Sequence, residues 1–345
     1  MFPFLSSLFS APQESASTLD EALIQKATER VLEGTDKRLR SCSGYEKALR
    51  GPVVTAAEHI IALVDGLPAP IEINRAGCTS DPRLRAFFGS FVRFQEKIAA
   101  AKNVRVYIEQ NALSPPDRVY GLLMMEKSEV RKPGTAMHGE IIRRDVLQTA
   151  VNFFNHDFRG LARSPEESSI VQKRGGFDHV IERGLEDIVA TRSKRLDLTE
   201  KHKLLERKLA AMRAGKWGLG GALAKDTGAA SETQNDPDAL TAEIKAVEAE
   251  MSELGESQDV LGRNMEIVQH ALTHAATILS VRPVTLVVDN MNIKVDAGTP
   301  GNVNTLELLE LFSDNGQSRI ILPCSFQVSD LPAKPDFFTE ANRYL

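Results

Sequence analysis

Several clusters in this 345-residue chain have the residue types that chemistry needs, and each falls short of a requirement. His138-Gly139-Glu140 and Pro323-Cys324 make most of a zinc-deaminase signature. That site takes a second cysteine ligand three residues after the first, and position 327 is Gln. Glu266, His270 and His274 recur every four residues. Such spacing aligns side chains on one helix face and suits a metal. A zincin helix, however, has Glu directly after the first histidine, and position 271 is Ala. These three are read as a polar helix face.

Gly218-Leu219-Gly220-Gly221 ahead of Lys225 fits neither glycine-rich phosphate pattern, and no strand precedes it. It reads as a flexible loop. Asp289, Asn290, Asn292 and Asp296 crowd one turn without the spacing or closing Glu of a calcium loop. No G-x-S-x-G occurs. Nothing in the chain is a complete motif for catalysis, a metal or a cofactor. An enzyme whose site is assembled in space from His138, Glu140, Asp289 or Cys324 is carried as an alternative.

Two basic clusters suit phosphates. Arg131, Lys132, Arg143 and Arg144 form one, and Arg192, Lys194, Arg195, Lys201, Lys203, Arg207 and Lys208 the other. A basic helix can track a nucleic-acid backbone. The formal charge of −5 and pI near 5.9 make no such case for the chain as a whole. Cys42, Cys78 and Cys324 are far apart, which argues against a disulfide framework and fits a reducing, cytoplasmic setting. Residues 1–9 are apolar but too short to span a bilayer, and are expected to make at most weak contact with a membrane surface.

The elements that must position these residues read as follows. Helices are expected near 18–32, 45–64 and 81–98; Pro52 would break the second, which is therefore expected to start there with Pro52 in its first turn. Val104, Val106 and Ile108 alternate with polar residues and predict a strand. Strands are also expected within 119–130 and 140–154, with a turn at Lys132-Pro133-Gly134. After a helix start at Ser164-Pro165 and an interruption at Gly175-Gly176, a long helix is predicted over 177–214. Beyond Pro283 the period is two at 285–289, 293–295 and 319–328, and 305–312 reads as a short amphipathic helix.

The strongest pattern is the seam Leu240, Ile244, Val247, Met251, Leu254, Gln258, Leu261, Met265, Val268, Leu272, Ala275 and Leu279. Steps of four and three keep one apolar stripe facing a partner helix. Gly215 to Asp238 separates this seam from the helix before it, so a helical hairpin is predicted. The arms are oppositely charged. Residues 171–216 hold twelve Lys/Arg against seven Asp/Glu, and 232–266 hold two against ten. The seam of the first arm is weaker, with Arg195 and His202 on it, so surplus apolar surface is expected on the second arm.

The expected fold is α+β. It has a flexible segment 1–17, a helical unit 18–101, a β-rich body made of 102–163 and 282–345, and a coiled-coil hairpin 164–281, tip 215–238, inserted between antiparallel strands. The leading expectation for function is a non-enzymatic interaction or assembly protein, homo-oligomeric or binding a protein partner. Trp217 at the tip, Leu254 and Leu261 on the seam, and Arg195, Lys201 and Arg207 on the basic arm are its candidate contacts. Nucleic-acid binding through 192–208 and 131–144 is the alternative.

Overall fold

The computed structural model describes residues 19–138, 141–213, 237–253, 260–295 and 303–332. The fold is α+β: a mostly antiparallel six-stranded sheet with a long helix between its third and fourth strands. The chain divides into two compact units, one of residues 1–23, 54–180 and 274–345, the other of 24–53 and 181–273.

The first unit contains the sheet. Its strands are β1 (Ile71–Glu72), β2 (Arg118–His138), β3 (Ile141–Ala162), β4 (Leu279–Asp289), β5 (Val303–Ser313) and β6 (Ser318–Gln327), in the order β3-β2-β6-β5-β4. β1 joins β6 in parallel. Segment 292–295 ties the two ends of this order together. Val295 N–H donates to Val287 O at 3.0 Å, while Lys294 N–H donates to Thr149 O at 2.8 Å. The sheet therefore closes on itself at this level, which removes open strand edges there.

Alternation along the strands puts Leu306 and Leu308, Ile320, Leu322, Cys324 and Phe326, and Leu123 and Met125 into one core. Helices α3 (Arg75–Ser80), α4 (Pro82–Phe88), α5 (Phe91–Ala100) and α6 (Lys102–Gln110) contribute Cys78, Phe87, Phe88, Phe94, Ile98 and Val104 to it. At its centre Phe94, Phe158 and Phe326 make three edge-on ring pairs at 5.9 to 6.4 Å. The predicted 81–98 helix is two helices, because Gly89 takes φ +71° and stops α4 before Ser90 caps α5.

Pro323 lies inside β6, where a missing N–H would break a ladder. β5 pairs with β6 up to Ile321, and β1 takes over at Cys324. Proline occupies the handover between the two neighbours.

Four expectations are corrected in this unit. Residues 104–108 are helical: Val104 is buried and Tyr107 and Ile108 pack on the core, an i, i+3, i+4 face that exposed Val106 obscures in the sequence. Residues 305–312 are strand, since pairing with β4 and β6 overrides the helix propensity of a Leu/Glu run. Lys132-Pro133-Gly134 is no turn; β2 continues to His138 with Pro133 opposite Leu147. β2 pairs with β6 only as far as Met125, so proline falls where β2 has a single neighbour. Gly175-Gly176 lies within one continuous helix, α7 (Pro165–Arg213). A Cβ on Gly176 would come within 3.0 Å of Ile60 and 3.7 Å of Leu279, so the bare backbone allows close packing there.

The second unit is helical. It takes most of α1 (Glu21–Gly34), the first part of α2 (Tyr45–Asp65), α7 from residue 181, α8 (Pro237–Glu253) and α9 (Val260–Thr273). Pro52 lies inside α2 rather than in its first turn. It brings no N–H to the carbonyl of Ala48. Gln269 Nε2 of α9 donates to that oxygen instead, at 2.8 Å. Asp36 caps the 3₁₀ turn Lys37–Ser41 and also accepts from Asn264 Nδ2 at 2.9 Å. Its carboxyl is held down at about 2, chiefly by the Arg38 guanidinium bonded to it.

The expected 240–279 helix is shorter than its seam. α9 ends at Thr273, a single turn α10 (Ala275–Ile278) follows, and Leu279 is already the first residue of β4.

Candidate interaction surface

α7 and α8 are the two arms of the helical hairpin. Leu198 and Leu205 of α7 form one apolar cluster with Ile244 and Val247 of α8, with Leu209 and Met251 packed beside it. Leu240 is also buried, at 3% exposure. The ion pairs set the direction. Lys194 Nζ meets Glu250 Oε1 at 2.7 Å, and Lys201 Nζ meets Glu243 Oε1 at 3.0 Å. Seven residues forward on α7 is seven back on α8, so the arms are antiparallel. His202, at the edge of the cluster, lies between Glu206 at 3.5 Å and Glu248 at 3.1 Å.

These charges flank the seam, as the opposite signs of the two arms led us to expect. They are half exposed, and such pairs contribute only about 0.2–1 kcal/mol each. The buried leucines and β-branched residues hold the arms together, and the charges choose the register.

Among the described residues, no seam position of α8 shows the apolar surplus expected on the second arm. The described seam residues of α8 are buried or half-buried against α7. α7 instead presents Leu185, Val189, Leu196 and Leu204 to solvent at 37, 57, 58 and 65% exposure. A helix turns about 100° per residue. Val189 and Leu196 therefore lie on the side of α7 roughly opposite Leu198 and Leu205. α8 cannot cover both sides of one helix, which is why a second stripe stays open.

The individual candidates fall as follows. Trp217 and Leu254 lie outside the described residues. Leu261 is half-buried in α9, and Arg195 is half-buried on α7. Lys201 is engaged by Glu243, and Arg207 is exposed. The sequence does not single out the exposed leucines and valine of α7 as a surface. Their spacing of four, seven and eight was the available signal.

The remaining chemical candidates are scattered. Cys324 is fully buried in β6, and burial pushes its thiol up to about 12, far from a reactive thiolate. Asp289 Oδ1 accepts from the backbone N–H of Met291 and of Ile293, both at 2.8 Å, and so shapes the turn into the closing segment. Asn292 holds φ +58° in that turn, and its Nδ2 donates to Ala86 O. His138 pairs with Ile141 at the end of the β2–β3 ribbon, Glu140 and Asp296 lie outside the described residues, and α9 ends before His274. Among the described residues no three His, Cys, Asp or Glu side chains gather as metal ligands. An open groove of about 580 Å³ runs between α6 and β3, lined by Lys102, Asn103, Tyr107, Asp157 and Arg159 among others. Asp157 is paired with Arg159 at 2.6 Å there, and His138, Asp289 and Cys324 are not part of its wall.

No protein-family model, curated protein or solved structure matches this chain. No helix among the described residues is long and apolar enough to cross a membrane.

Proposed function

We propose that this is a non-enzymatic interaction or assembly protein that binds protein through its helical hairpin. The observation that carries this reading is the open stripe Leu185, Val189, Leu196 and Leu204 on α7. Leu185, Val189 and Leu196 share one face of α7, opposite the seam that is already filled, and large side chains so aligned are what a helix-in-groove or helix-on-helix partner takes up. The filled seam makes the hairpin a preformed element, so a partner does not have to order it on binding.

The test uses the full chain carrying Val189→Glu and Leu196→Glu together. Both side chains are exposed, so the fold should survive, as circular dichroism will check. Native mass from light scattering and the set of co-purifying proteins should both be compared with the unsubstituted chain. Loss of an oligomer or of a specific partner is expected. If both readouts are unchanged, the hairpin stripe is not a binding surface.

A second reading, nucleic-acid binding, is favoured by one feature. Beyond Met125 the β2–β3 pair leaves β6 and, past the contact of β3 with segment 292–295 at Thr149–Val151, runs on as a two-stranded ribbon to His138 and Ile141, with Arg131 and Lys132 exposed near the start of that ribbon. Ribbons of this kind enter nucleic-acid grooves. The α7 part of that reading is weakened, because Lys194 and Lys201 are already paired with carboxylates of α8. Binding that weakens steeply with salt and is lost in Arg131→Ala/Lys132→Ala would favour it.

A further inference from the structure

We draw no further inference here: the strongest candidate, the exposed apolar face of α7 at Leu185, Val189 and Leu196, is the surface already proposed to bind protein, and nothing in the structure shows what covers it.

Discussion

His156 shows how one residue can tie stability to pH. It comes from β3, packs on Phe88 with ring centroids 5.1 Å apart, and places Nε2 3.1 Å from Phe87 O. Its Nδ1 is buried without a partner. Burial, and then the charge of Lys97, lower its pKa from 6.5 to about 4. The neutral ring therefore donates from Nε2 and leaves Nδ1 as an idle acceptor. Between these two values the unfolded chain binds a proton that the folded chain refuses. Its contribution to stability is present above pH 6.5 and is lost as pH falls towards about 4. The melting temperature should drop over that window, and His156→Phe, which keeps a ring against Phe88, should flatten the drop. An unchanged pH dependence in the variant would show that other groups cause it.

At the scale of elements, proline and the hairpin seam lead to two expectations. Gln269→Ala strands the Ala48 carbonyl that Pro52 cannot serve, and should cost about 1–3 kcal/mol. In a Pro52→Ala background, where residue 52 supplies its own N–H, the same change should cost clearly less. A double-mutant cycle in urea reads that coupling, and additive effects would count against the account of Pro52. In the hairpin, Leu205→Ala should destabilise by about 2–4 kcal/mol, whereas Lys201→Ala should stay within about 1 kcal/mol. Comparable losses would mean that the arms are held by charge rather than by burial.

These elements also show how far local pattern can be read. The seam and the opposite charges of the two arms were legible because a 3.5-residue period and side-chain charge are properties of the chain itself. The fate of 104–108 and 305–312 was not, because alternation and helical spacing coincide over so few residues. β5 became a strand because β4 and β6 supply its backbone partners. Even Glu310 is buried there, at 8% exposure, with Ser318 donating to it at 2.8 Å.

At the scale of the whole molecule, α2 and α7 each give residues to both units. Closure of the sheet by 292–295 predicts an exchange pattern. The amides of Val151 and Lys294, which donate to Asn292 O and Thr149 O at 2.8 Å, should be protected from hydrogen exchange about as well as the β4–β5 ladder. Fast exchange at both would mean that the ends of the sheet are not joined. Composition and period alone determined that this chain builds helices and antiparallel strands, and that its two long arms attract one another. Which short runs became strands, how Pro52, Pro133 and Pro323 were accommodated inside regular elements, and which side of α7 stayed uncovered were decided only in three dimensions. Periodicity states which side chains seek burial, but only neighbouring segments decide which backbone groups are paired and which apolar faces are covered.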